Sequence, residues 1–307
     1  MEIIVTGHKN PDSDSVVSAI AVSYLYNQLG YTTRAYAQGE PAPETQFILQ
    51  TAGLDAPTVL HDVTGKEVIL VDFSDRPQAP QGIEKATIRA IIDHHKLGDL
   101  TTDTPLEMWV RPVGCSSTIV KMMYDYHNIA IPPAIATAML CAILSDTVLF
   151  KSVTTTKADE QAVSELASIA DIKDPLSLGM EMFIAKSNVK DASAKELLFR
   201  DYKDFTIHGN TIGVGQLETV DLSLLEDKKD ELLEIMRHIK ESEQKHTILL
   251  LLTDIMKEGS LVLFLSDETN RLENVFKKEF QGNSLWIDGM MSRKKQVMPY
   301  LQKMFDE

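Results

Sequence analysis

Cysteine is nearly absent: the 307-residue chain carries two, Cys115 and Cys141. Two thiols cannot build a disulfide framework, and their scarcity fits a reducing cytoplasm. Positive charge is also scarce. Lys and Arg number 30 against 45 Asp and Glu, a formal net charge of −15. A chain with that balance repels polyanions, which argues against a long nucleic acid as partner. A small anion could still bind where metals or a few basic side chains reverse the field locally. Long apolar runs are missing too; Ile248 to Leu252 is far too short to cross a bilayer. Met1 leads straight into Glu2-Ile3-Ile4-Val5, so no signal peptide and no membrane partner are expected. There is no low-complexity tract and no internal repeat. What is present is 44% hydrophobic and 24% charged residues, in a length that suits two globular domains.

The first half alternates strands and helices. Ile3–Thr6, Thr32–Ala37, Val68–Val71 and Ile88–Ile92 read as strands, the last two as continuous apolar runs of the kind buried on both faces of a parallel sheet. Ser15–Leu29 reads as a helix closed by Gly30, and further helices are expected at Ser117–His127, Pro133–Leu144 and Asp159–Ala170. This alternation predicts an α/β fold with an open, mostly parallel sheet flanked by helices. Around Lys186–Ala194 the pattern turns polar, as an interdomain linker does. Beyond it, strands at Thr211–Gly215, Thr247–Leu252 and Leu261–Leu265 and a helix at Leu225–Glu243 predict a smaller α/β domain. The expected boundaries are a domain over 1–187, a linker and hinge over 188–194, and a second domain over 195–307.

The chemistry gathers where the first-half strands end. Strand one runs into Gly7-His8-Lys9-Asn10-Pro11-Asp12-Ser13-Asp14, the strand at Val68 into Asp72, and the strand at Ile88 into Asp93-His94-His95. Carboxyl ends of strands are where open α/β sheets bind ligands. Taken singly these residues have ordinary uses: Asp12 or Asp14 caps a helix, Asp72 ends a strand, and paired histidines lie on a surface. Five or more Asp and His groups at one sheet edge favour a metal site instead. Carboxylates and imidazoles without thiolates suit Mn, Co, Mg or Fe. Asp can bridge two cations, which makes feasible a metal pair about 3.5–4 Å apart of the kind that activates water for in-line attack at phosphorus.

These residues resemble a known family. Gly7-His8-Lys9-Asn10-Pro11-Asp12-Ser13-Asp14-Ser15 with Asp93-His94-His95 is similar to the DHH phosphoesterase superfamily. Ser292-Arg293-Lys294-Lys295-Gln296-Val297-Met298-Pro299 narrows the resemblance to the family II, manganese-dependent inorganic pyrophosphatases, as do Arg111–Cys115 and Leu144–Thr147. It spans essentially the whole chain. The resemblance implies a DHH domain, a smaller DHHA2-like domain and an active site in the cleft between them. It implies that His8 and Asp12 hold one metal, Asp14 and His94 the other, and that Asp72 and Asp146 bridge or are shared. His95 would face a substrate phosphate, while Lys203, Arg293 and Lys294 would grip pyrophosphate oxygens. Two Mn²⁺ per site are implied, with Co²⁺ as a substitute and Mg²⁺ arriving with the substrate, in a cytoplasmic homodimer that hydrolyses pyrophosphate to two phosphates. Closure of the two domains about the linker would complete the site.

One departure stands out. Family members commonly carry Asp-His-Asn-Glu where this chain reads Asp72-Phe73-Ser74-Asp75, so a partner of the metal ligands is lost to Phe73. Two alternatives stay open: a phosphodiesterase of the same superfamily acting on short oligonucleotides or cyclic dinucleotides, and a catalytically silent metal or nucleotide sensor. The first typically carries a glycine-rich motif where this chain has Ser-Arg-Lys-Lys-Gln. The second would be marked by Phe73, against intact ligands. The thirteen methionines are read as adaptable packing, and His61, His127, His208, His238 and His246 are assigned no role.

Overall fold

The structure, a computed structural model, describes residues 2–187, 192–278 and 282–306, apart from the side chains of Lys186, Ser187, Lys294, Lys295 and Asp306. Residues 188–191 of the expected hinge lie outside the described residues. The chain divides into two compact units, Met1–Lys186 and Ser187–Glu307.

The first unit contains, in order, β1 (Ile3–Lys9), α1 (Ser13–Gln28), β2 (Thr33–Gln38), α2 (Pro43–Ala52), β3 (Thr58–Val59), β4 (Glu67–Val71), β5 (Thr87–Asp93) and β6 (Glu107–Val110). Helices α3 (Ser116–His127), α4 (Pro133–Asp146), α5 (Lys157–Ala170) and α6 (Pro175–Ser187) follow. The six strands form one parallel sheet ordered β3-β2-β1-β4-β5-β6. Val68, Ile69, Leu70 and Val71 are all fully buried, which is why β4 reads as an unbroken apolar run. Helix α4 is apolar on every side and packs against α1, α2 and α5. Each such side chain taken from water contributes about 1.5–3 kcal/mol.

The strand order places the site. From β1 the chain moves outward through β2 to β3, then returns to β4 on the other side of β1. At such a reversal the loops leaving two neighbouring strands diverge and open a crevice at their carboxyl ends. Here those neighbours are β1, which ends beside His8, and β4, which ends at Val71 before Asp72.

The strands and helices expected in the first half are present with ends shifted by a few residues. Four strands and helices of the first unit were not expected from the sequence: α2, introduced by Pro43, α6, and the short edge strands β3 and β6.

The second unit comprises α7 (Ala194–Phe199), β7 (Tyr202–Ile207), β8 (Asn210–Thr219), α8 (Lys229–Ser242), β9 (Thr247–Asp254), β10 (Gly259–Ser266), α9 (Thr269–Phe276), β11 (Ser284–Asp288) and α10 (Met298–Asp306). Its five strands are ordered β11-β10-β9-β8-β7, with β8 and β9 parallel and the other neighbours antiparallel. Every residue of β9 is buried. Its alternation divides the core: Ile248, Leu250 and Leu252 pack with the side chains of α7 and α8, while Leu249 and Leu251 pack with those of α9 and α10.

Candidate metal centre

At the end of β1 the backbone lies so close to the start of α1 that no side chain fits at Gly7. A Cβ there would fall 1.9 Å from Ser15 Oγ and 2.7 Å from the Ser15 carbonyl oxygen. Asp12 then caps α1, its Oδ1 accepting from Ser15 N at 2.9 Å. Its other oxygen, Oδ2, lies 3.4 Å from His8 Nε2. Capping and ligation are therefore compatible in one carboxylate. Asp14 is fully buried and accepts from Ser18 Oγ, Ser117 Oγ, Ser116 N and Ser117 N at 2.6–2.9 Å. The last two donors belong to the first turn of α3, where free N–H groups favour an anion.

Asp72 follows β4 with φ at +67°, a left-handed conformation uncommon outside glycine. Its N–H donates to the Ile92 carbonyl at 2.8 Å, which ties the turn to β5. The buried carboxylate faces two imidazoles with opposite oxygens: Oδ2 is 3.3 Å from His8 Nε2, and Oδ1 is 3.3 Å from His94 Nε2. Both rings are oriented from behind. His8 Nδ1 bonds the Lys9 carbonyl at 2.8 Å and His94 Nδ1 the Val113 carbonyl at 3.0 Å. A carbonyl only accepts, so Nδ1 carries the proton in each ring and Nε2 points into the cluster.

Asp146 ends α4 and gathers with Asp14 and Cys115 into a third group able to hold a metal ion, beside His8–Asp12–Asp72 and Asp72–His94–His95. The structure thus brings His8, Asp12, Asp14, Asp72, His94 and Asp146 into three adjoining groups, linked by Asp72 and by Coulomb contact among Asp14, Asp72, Asp146 and His94.

The charges in this cluster oppose one another. Burial, reinforced by the Asp72 charge, pushes the Asp14 carboxyl up to about 6. Burial and the charges of Asp14 and Asp72 push Asp146 well above the carboxylate range. Burial disfavours charge on the imidazoles, but hydrogen bonds to Asp12 and Asp72 outweigh it at His8, pushed up to about 11. At His94 the Asp72 bond and the Asp14 charge do the same, to about 10. Asp72, bonded by both imidazoles, is held below the usual range although burial opposes it. Carboxylates held together against their repulsion, with imidazole nitrogens aimed among them, fit divalent cations. The donor set passes that test.

His95 lies half-exposed at the rim. Its Nδ1 meets Asp93 Oδ1 at 3.0 Å, and that bond raises its pKa. Because the carboxylate accepts, Nε2 is the nitrogen left for a ligand. A cavity of about 360 Å³ is lined by His8, Asp12, Asp72, Phe73, His95 and Lys96, among others. Phe73 is buried among Val63, Val68, Leu70 and Ala79, so the side chain where the resembled family carries His is spent on the core.

The expected phosphate-binding residues lie in the second unit. Arg293 opens a turn of π-helix, Arg293–Val297, and is mostly buried. Its Nη1 donates to the carbonyls of Asp201 and Val214 at 2.7 and 3.2 Å, and its Nη2 to Asp201 Oδ1 at 2.8 Å. Lys203 is exposed on β7, paired in register with Val214, the residue whose carbonyl Arg293 holds. Arg293 and Lys203 therefore both adjoin the β7–β8 pair at the edge of this sheet. The Lys294 side chain lies outside the described residues.

Several residues of the site were given no role from the sequence. Asp93 orients His95, Ser116 and Ser117 bond Asp72 and Asp14, and Ser116 Oγ reaches Asp72 Oδ1 at 2.9 Å. Gln216 holds the basic loop: Nε2 donates to Thr253 Oγ1 and the Met291 carbonyl, while Oε1 accepts from Arg293 N. Gln296 accepts from the N–H groups of Met291 and Ser292. Asp93 stands in a visible motif; the serines and Gln216 have no local signature.

The DHH family N-terminal domain matches residues 2–143 and the DHHA2 domain residues 180–304. A manganese-dependent inorganic pyrophosphatase of Methanothrix thermoacetophila is 45% identical over 99% of this chain and 98% of its own. One from Methanocaldococcus jannaschii is 39% identical over 98% and 99%. A crystal structure of a family II inorganic pyrophosphatase from Methanococcus jannaschii superposes with a TM-score of 0.64 at 38% identity, covering both chains completely.

Proposed function

The chain belongs to the family of manganese-dependent inorganic pyrophosphatases, and from that membership we propose that it hydrolyses pyrophosphate to two phosphates at the Asp/His cluster of its first unit. The observation that carries this reading is Asp72, one carboxylate presented to two imidazoles through opposite oxygens. His8, Asp12, Asp14, Asp72, His94 and Asp146 would hold two divalent cations, Mn²⁺ first. When bound, such cations lower the pKa of water and neutralise charge on a transferring phosphoryl group.

The chain's own residues supply the rest. His8 and His94 offer Nε2 because the carbonyls of Lys9 and Val113 hold Nδ1. His95 hands its Nδ1–H to Asp93, a bond that favours the imidazolium, and in that charged form its Nε2–H would donate to a phosphate oxygen. Arg293, Lys294 and Lys203 take the remaining phosphate charge. Arg293 is clamped by Asp201 and Val214, so it presents a fixed positive group that needs little reorganisation as charge moves to the leaving phosphate. A few basic groups in an otherwise acidic chain favour a compact anion over a polynucleotide. The setting is the cytoplasm, and the working form a homodimer.

The test is phosphate release from pyrophosphate by metal-stripped protein reloaded with Mn²⁺, Co²⁺ or Mg²⁺, with a dinucleotide as the competing substrate. Mn²⁺-supported turnover of pyrophosphate alone is expected. Dinucleotide cleavage without pyrophosphate turnover would replace this reading with the phosphodiesterase one.

A further inference from the structure

Behind the ligands lies a buried carboxylate that none of these roles uses. Glu44, in the first turn of α2, is 5% exposed. Its Oε1 accepts from Ser13 Oγ at 2.7 Å and, in a short contact, from Ser145 Oγ. Ser13 stands between Asp12 and Asp14, and Ser145 immediately precedes Asp146. Both serines are buried, and Ser13 also meets Thr45 Oγ1 at 3.1 Å. One oxygen therefore fastens the start of α1 to the end of α4, the two segments that carry three of the acidic ligands.

We propose that Glu44 is a positioning residue of the metal centre, holding Asp12 and Asp14 at a set spacing from Asp146 and so tuning affinity for the cations. The proposal rests on the reading of those aspartates as ligands. The physical case is the crowding of like charges: the carboxylates of Asp14 and Asp146 bring oxygens within 4.8 Å of one another, so they tend to separate when no cation is bound. Two hydroxyl groups converging on one buried carboxyl oxygen form directional bonds that resist that separation. Ligands held in place beforehand lose less freedom on binding. Partners of metal ligands typically alter affinity by about 10–100-fold.

A role confined to packing α2 on α1 and α4 would lower the melting temperature and leave the affinity of the folded protein alone. The experiment separates the two by titrating the metal-stripped full chain with Mn²⁺ in a calorimeter and melting the metal-free form alongside. E44A is expected to weaken Mn²⁺ binding by about 10–100-fold. E44Q, whose amide oxygen can accept the same two hydroxyls, is expected to restore most of it. Wild-type affinity in E44A, or E44Q as weak as E44A, overturns the proposal. Should E44A not fold, S13A and S145A remove the bonds singly, and unchanged affinity in both is equally fatal. D146N is titrated in parallel. Wild-type affinity there overturns the ligand reading itself, whereas a weak D146N beside a normal E44A overturns only the role of Glu44.

Discussion

As proposed metal ligands, His8 and His94 carry protons that a metal would have to displace. With their pKa values pushed up to about 11 and about 10, both imidazoles are charged at neutral pH in the metal-free protein. A raised pKa means that the proton competes until pH climbs through the folded value, so Mn²⁺ affinity should rise with pH from about 6 to 9. Uptake at neutral pH should release at least the two imidazole protons, with Asp146 adding to them, visible as a binding heat that scales with the ionisation enthalpy of the buffer. Heat independent of the buffer would remove the histidines from the ligand set. At Asp146 the same electrostatics predict a divided outcome. D146N deletes one of several repelling carboxylates, so the metal-free protein should melt no lower than wild type. It also deletes a ligand, and turnover should fall by more than about 100-fold. Near-normal turnover would take Asp146 out of the site.

Elements decide how rigidly these residues are held. Gly7 lets β1 pass against the first turn of α1, and G7A drives a methyl into the Ser15 backbone. The expected cost is about 1–3 kcal/mol in denaturant melts, with weakened Mn²⁺ binding because His8 follows directly. A fully stable G7A would show that the contact yields. In the second unit Gln216 fastens the loop before Arg293 to β8 and β9. Q216L should raise KM for pyrophosphate while calorimetric Mn²⁺ affinity stays unchanged; the reverse pattern would disconnect that loop from substrate. The elements that carry the proposed ligands were the readable ones, since β1 and β4, and β5 from Ala90 onward, are buried on both faces and show as apolar runs. Helix α2, which carries Glu44, was not, because its buried face is interrupted by polar side chains that act as hydrogen-bonding partners rather than as core.

Across the whole molecule, the acidic groups that would hold metal and the basic groups that would hold phosphate belong to different units. Hydrogen exchange can map that division. Mn²⁺ alone should slow exchange at the ends of β1, β4 and β5 and in the first turn of α3. A non-hydrolysable pyrophosphate analogue should add protection around Asp201, Val214 and Met291–Arg293. Protection by Mn²⁺ confined to the second unit would contradict both assignments. What the amino-acid order settled alone is the kind of chemistry. Strands buried on both faces must be apolar, so the Asp and His that follow them stand out, and the flanking motifs identify the family. Which of those groups meet, and from which side, was decided by tertiary structure. The β1–β4 neighbourhood comes from the reversal in strand order. The nitrogen each histidine presents depends on carbonyls of Lys9 and Val113, and Asp14 is held by the Ser116 N–H, 102 residues further on. Such bonds depend on how helices are laid on the sheet, and a hydrogen bond between distant segments leaves no periodic trace in either of them.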